Sequence, residues 1–202
     1  MKITPTELQG PRLVEIDPME DSRGFFARLW CKQEFKQHGI DMEVVQISIS
    51  HNATLGTLRG LHFQWPPSRE AKLVRCQCGR IHDVIVDLRP DSPTFTQHAA
   101  FELDSRNHNS LYIPSGFAHG FQTLEENTDI VYMMSDYYRP DLQDGVRHND
   151  PVFDITWPLP LSSISPRDLD YPDFDPDSHT WKYNRALHSR NSSGSSEPAS
   201  TD

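Results

Sequence analysis

Lys72-Leu73-Val74-Arg75-Cys76-Gln77-Cys78 and Arg80-Ile81-His82-Asp83-Val84-Ile85-Val86-Asp87-Leu88 are two short apolar-rich runs hinged at Gly79 and closed by the turn Arg89-Pro90-Asp91-Ser92-Pro93. Neither run has a helical period, both favour an extended backbone, and Pro and Asp stop the second, so a strand, a tight turn and a strand are predicted. The same grammar extends outward. Gly24 to Cys31, Val44 to Ser50, Thr57 to Gln64, Phe95 to Leu103, Ser110 to Ile113, Ala118 to Leu124 and Asp129 to Asp136 read as further strands, with Asp104-Ser105-Arg106-Asn107-His108-Asn109 as another polar turn. Nine short strands predict an all-β fold, a jelly-roll barrel.

Beyond Pro140 the chain turns rich in Pro and Asp, as in Trp157-Pro158-Leu159-Pro160 and Tyr171-Pro172-Asp173-Phe174-Asp175-Pro176, which predicts a C-terminal segment wrapping over the barrel. Residues 1–187 are expected to form one domain, and the Ser-rich tail, 188–202, to be disordered for want of apolar residues. A formal net charge of -10 disfavours nucleic acid and anionic membranes as partners. No apolar run is long enough to span a bilayer, and Met1-Lys2-Ile3-Thr4-Pro5 opens no secretory signal, so a soluble cytoplasmic protein is expected. In that compartment Cys31, Cys76 and Cys78 read as reduced core thiols.

Strand parity selects the candidate chemistry. A period of two puts Gly60, His62 and Gln64 on one face, beside a glycine that leaves room for a ligand. Lys72 shares its face with Val74, Cys76 and Cys78, and burying an ammonium is costly unless it is paired or used; snorkelling to water is the ordinary alternative. Tyr132 falls with Ile130 and Met134, where a tyrosine is equally an ordinary core residue. Pro114-Ser115-Gly116-Phe117-Ala118-His119 has the spacing of a cupin metal element. The matching first element, His62-Phe63-Gln64, lacks its second histidine, and Glu70 is a weak substitute, so no metal is expected.

Several longer pieces occur in a fixed order: Asp21-Ser22-Arg23-Gly24-Phe25-Phe26, Leu58-Arg59-Gly60-Leu61-His62-Phe63-Gln64, Lys72-Leu73-Val74-Arg75, Ser92-Pro93-Thr94-Phe95, Ile113 to Phe121, and Tyr132 with Asp136-Tyr137-Tyr138. Together, from Asp21 to Asp168, they resemble the nucleotide-sugar 3,5-epimerase family of the cupin superfamily. The resemblance implies a cupin-type barrel, usually a homodimer, that works without cofactor or metal on a nucleotide-diphosphate sugar carrying a 4-keto-6-deoxy ring. It implies His62 as general base paired with Asp168, Tyr132 as acid on the opposite face of the sugar, and Lys72 at the ketone oxygen. Arg23 and Arg59 match arginines that contact the diphosphate; Gln46 and His119 are expected as further substrate contacts, as is Arg167, which stands in place of the family's late lysine.

The chemistry fits those types. A proton beside a ketone leaves only if the enolate oxygen is stabilised, an imidazole is a base suited to neutral pH, and inversion needs a second donor across the ring. Simple alternation, however, sets Arg59 and His62 on opposite faces, so a bulge, a bend or a partner subunit must intervene for both to serve one ligand. Arg28, Ser48, Gln143 and Arg167 depart from the family pattern, which leaves the nucleotide base open. Competing expectations are a single-carbon epimerase or ketoisomerase, a sugar-binding cupin without activity, and a metal-dependent cupin oxygenase.

Overall fold

A computed structural model describes residues 1–188. The chain begins with β1 (Lys2–Pro5), β2 (Arg12–Glu15), the hairpin β3 (Met19–Asp21) and β4 (Gly24–Phe26), and the short helix α1 (Lys32–Gln37). Next come β5 (Gln46–Asn52), β6 (Leu58–Gln64), β7 (Lys72–Cys78), β8 (Arg80–Asp87) and β9 (His98–Asp104). The remainder is β10 (Ser110–Ile113), β11 (Phe117–Thr123), β12 (Thr128–Met134), β13 (Gln143–Gly145), α2 (Pro166–Leu169) and α3 (Pro176–His188).

These strands form two main sheets, ordered β1-β2-β10-β7-β12-β5 and β13-β6-β11-β8-β9, with β3-β4 as a separate ribbon. No ladder joins one main sheet to the other among the described residues, so the expected closed jelly-roll barrel is corrected to an open two-sheet arrangement. Closure needs specific pairing of the last strands, and alternation within each strand says nothing about that. Each sheet ends in free edges, β1 and β5 on one and β13 and β9 on the other.

Alternation fixes what lies between the sheets. Val74, Cys76 and Ile130 from one sheet meet Ile81, Ile85, Phe117 and Phe121 from the other in one buried cluster, with Tyr132 packed against it. The opposite side chains of the same strands are also covered. Leu61, Phe63, Val84, Val86 and Ala118 pack with Val146, Phe153, Trp157 and Phe174 of the C-terminal segment. Leu73 and Val14 pack under Phe35, Ile40 and Met42 around α1. Burial on both faces explains why Val84-Ile85-Val86 is a continuous apolar run.

Three helices were absent from the sequence reading. α3 starts where Asp175 Oδ1 accepts from the amides of Asp177 and Ser178 and Pro176 takes the first turn, a start signal inside the stretch read as extended. His188, placed in the tail, is its last residue; the disorder expected for the rest of the tail lies outside the described residues. The cysteines are unpaired, but only Cys76 is in the core; Cys78, at the end of β7, is exposed. No helix among the described residues is long and apolar enough to cross a membrane.

Candidate active site

Toward one end of the interface between sheets, the inward side chains change from Ile, Val and Phe to His, Lys, Tyr, Gln and Ser. A cavity of about 370 Å³ opens there, within the usual range for a small-molecule site. β6 and β11 supply Arg59, His62, Gln64 and His119 from one sheet; β7, β12 and β5 supply Lys72, Tyr132, Gln46 and Ser48 from the other. The two walls therefore present different functional groups to one shared cavity.

Arg59 and His62 share this cavity because the β6–β11 ladder slips. His119 pairs with His62 and Phe121 with Arg59, so Gly60 and Leu61 on β6 together oppose Gly120 alone on β11. This bulge changes the parity between Arg59 and His62. It also demands glycine on both strands: a Cβ on Gly60 would lie 2.6 Å from Gly120 Cα, and one on Gly120 would lie 2.7 Å from the Arg59 carbonyl oxygen.

His62 Nε2 lies 2.8 Å from Asp168 Oδ1. The other carboxylate oxygen accepts from the Gly60 amide at 3.1 Å, and Ser165 Oγ accepts from the Asp168 amide at the start of α2. Burial alone would raise the Asp168 carboxyl pKa, but the bonds from His62, Gly60 and Ser165 outweigh it and hold the pKa below the ordinary value. An ionised carboxylate can only accept, so His62 Nε2 carries the hydrogen, and in the neutral ring the lone pair is on Nδ1. Asp170, the nearby alternative in sequence, is exposed.

A second such pair lies beside the first. His119, cross-strand neighbour of His62, places Nε2 2.7 Å from Asp83 Oδ1, with both side chains buried. The His119 ring meets Tyr132 edge-on, with centroids 6.0 Å apart. Burial, reinforced by Asp83 and opposed by Arg59, pushes the Tyr132 phenol well above its usual pKa, so it stays protonated at neutral pH. Lys72 is held by Glu70, Nζ to Oε2 3.2 Å, and reaches the His62 carbonyl at 3.5 Å.

Sequence reasoning missed Glu70 and Asp83 as partners. Both carried a signal: Asp83 is a carboxylate in the middle of an apolar strand, and Glu70 stands two residues before an inward lysine, where unpaired burial is costly. Of the remaining candidates, Gln46 lines the cavity from β5 and Arg59 donates to Asn52 Oδ1 at 2.7 Å. Arg167 sits at the rim and donates to Gln143 Oε1, which also accepts from the Tyr138 hydroxyl. Arg23 is not brought to the site: at the tip of the β3–β4 hairpin its side chain is 87% exposed and pairs with Asp21. Among the described residues no three His, Cys, Asp or Glu side chains converge as metal ligands do.

A family profile described as dTDP-4-dehydrorhamnose 3,5-epimerase matches residues 5–176. The chain belongs to the dTDP-4-dehydrorhamnose 3,5-epimerase family. It is 40% identical over 170 residues to the dTDP-4-dehydrorhamnose 3,5-epimerase of Neisseria gonorrhoeae, covering 84% of this chain and 51% of that longer protein. The crystal structure of the Bacillus anthracis epimerase, with TDP and PPi bound, shares 40% identity and a TM-score of 0.83 over 86% of this chain and 99% of that one. ChmJ, a 3'-monoepimerase from Streptomyces bikiniensis in complex with dTDP-quinovose, shares 27% identity and a TM-score of 0.82 over 94% and 98% of the two chains. The sequence resemblance and the epimerase family thus agree.

Proposed function

We propose that this member of the dTDP-4-dehydrorhamnose 3,5-epimerase family converts dTDP-4-dehydro-6-deoxy-D-glucose, or a close nucleotide-linked analogue, into its C3 and C5 epimer through an enolate. The observation that carries the reading is the confrontation of His62, from one sheet, with Tyr132 and Lys72, from the other, across one cavity. His62 Nδ1 takes the proton from the carbon beside the ketone, while Asp168 orients the ring and stabilises its charged form. Lys72 donates to the oxygen on which negative charge develops. Tyr132, kept protonated by its surroundings, delivers a proton to the opposite face, which inverts the centre. General acid-base transfer of this kind contributes roughly 10²- to 10⁴-fold.

Arg59 lines the cavity, Arg167 stands beside it through its bond to Gln143, and both offer guanidinium forks to the diphosphate; Gln46 and His119 complete the substrate contacts. The active form is a cytoplasmic homodimer. Its support is apolar surface left uncovered on one chain: Ile47 and Ile49 on edge strand β5 are 63% and 64% exposed, and Phe26 on the hairpin is 69% exposed. A second copy that covers this surface also supplies Arg23 to the neighbouring cavity, which explains a diphosphate-binding arginine placed away from its own site. In ChmJ the same fold serves inversion at one carbon, which is the second reading.

Incubating the purified chain with dTDP- and CDP-linked 4-keto-6-deoxyglucose in deuterium oxide separates these outcomes by NMR. Deuterium at both C3 and C5 with an inverted product is expected; deuterium at one carbon supports the monoepimerase reading. A substrate left unexchanged with both nucleotides, in folded protein, overturns the function.

A further inference from the structure

We propose that Tyr171 is a positioning residue that, together with Asp168, clamps the imidazole of His62. This rests on the reading of His62 as the base. Asp168 holds the ring at one atom, Nε2, and a single hydrogen bond leaves the ring plane free to rock about that contact. Tyr171 supplies the second restraint. Its ring stands edge-on to His62, with centroids 6.4 Å apart and planes at 68°, a preferred aromatic geometry.

The surroundings are shaped around this ring. Gly145 on β13 pairs directly with His62 on β6, and Tyr171 lies over that glycine. A Cβ at position 145 would stand 2.3 Å from Tyr171 Cζ and 2.4 Å from Cε2, so only glycine leaves the space the ring occupies. Tyr171 itself is 8% exposed, and its backbone carbonyl accepts from Arg147 Nη1 at 3.4 Å. It follows Asp168 by three residues, so the segment around α2 delivers both restraints to the base.

The phenol oxygen is buried, and its polar neighbour is the Arg167 guanidinium rather than His62. Burial raises its pKa, and the nearby Arg167 guanidinium opposes that rise. The hydroxyl interacts with Arg167 and the contact with His62 is made by the ring, so the aromatic ring carries the clamp on the imidazole.

Steady-state kinetics and solvent deuterium wash-in of Tyr171→Phe, Tyr171→Leu and His62→Ala test this in the full chain. Tyr171→Phe, which keeps the ring against His62 and removes only the hydroxyl, is expected to keep kcat within about twofold of the wild type. Tyr171→Leu is expected to lower kcat and wash-in together by about 10- to 100-fold with KM little changed, because a loosened base misplaces proton transfer without weakening substrate binding. A purely structural role would instead reduce the amount of folded enzyme while leaving kcat per folded site intact. Wild-type kcat in Tyr171→Leu beside an inactive His62→Ala overturns the clamp alone. A tenfold or larger loss in Tyr171→Phe also overturns it, and that isosteric variant keeps the test decisive should the leucine variant not fold. Wild-type exchange in His62→Ala overturns the base assignment itself.

Discussion

Asp168 meets the conditions under which a carboxylate stays charged while buried: its oxygens face an imidazole N–H and a backbone N–H. Its folded-state pKa is therefore depressed, despite burial that pushes the other way. The linkage has a definite sign. A depressed carboxylate stabilises the fold above its unfolded pKa, near 3.8, and that contribution is lost as pH falls through the lower folded value. Asp168→Asn should therefore lower the urea midpoint at pH 7 and narrow its gap to the wild type near pH 3, whereas a gap equal at both values would contradict the ionised pairing. The uncharged amide also no longer fixes the tautomer of His62, so kcat should fall by roughly 10²- to 10⁴-fold at neutral pH. At this scale much was legible: His62, Lys72 and Tyr132 point inward as parity requires. Their partners were less so. Glu70 and Tyr171 reach the site through loop and wrapping segments, where no period constrains direction.

Between residue and fold, the β6–β11 ladder decides whether the site exists. Gly60 and Gly120 let two backbones approach so closely that one extra residue fits on β6 and turns Arg59 toward the same cavity as His62. Gly120→Ala should reopen this crossing: its methyl would meet the Arg59 carbonyl at 2.7 Å and Leu61 Cγ at 3.0 Å. Overpacking of this kind costs about 1–3 kcal/mol, measurable by denaturant unfolding, with a fall in kcat/KM of at least tenfold as the two side chains lose their common orientation. Unchanged kcat/KM would show that the bulge does not set the site. The sequence revealed that alternation alone fails between Arg59 and His62, and a bulge was one of three solutions. Choosing among them needed the partner strand, because register belongs to a pair and not to one strand.

For the whole molecule, most of the expected strands form, and the alternation read on β6, β7 and β12 marks the cavity lining at His62, Lys72 and Tyr132. Closure was not readable, and the barrel expectation failed there: free edges at β5 and β13 follow from pairings across long sequence separations. The edge at β5 is also where apolar surface stays uncovered, with Ile47 and Ile49 outward and Gln46 and Ser48 inward on one strand. Paired substitution Ile47→Glu and Ile49→Glu should convert a species of twice the chain mass into a monomer in sedimentation, and should weaken substrate binding because each cavity then lacks its neighbour's Arg23. A wild-type protein that sediments as a monomer at assay concentration would remove the dimer from the proposal.

The opposition of base and acid across the cavity is tested most directly by following deuterium uptake and product configuration together in wild type, His62→Ala and Tyr132→Phe. The wild type should exchange and invert. His62→Ala should do neither, and Tyr132→Phe should take up deuterium while returning the sugar without inversion, because the proton can then come back only from the side of His62. Undiminished deuterium uptake in His62→Ala, or full inversion in Tyr132→Phe, would contradict the two-sided mechanism.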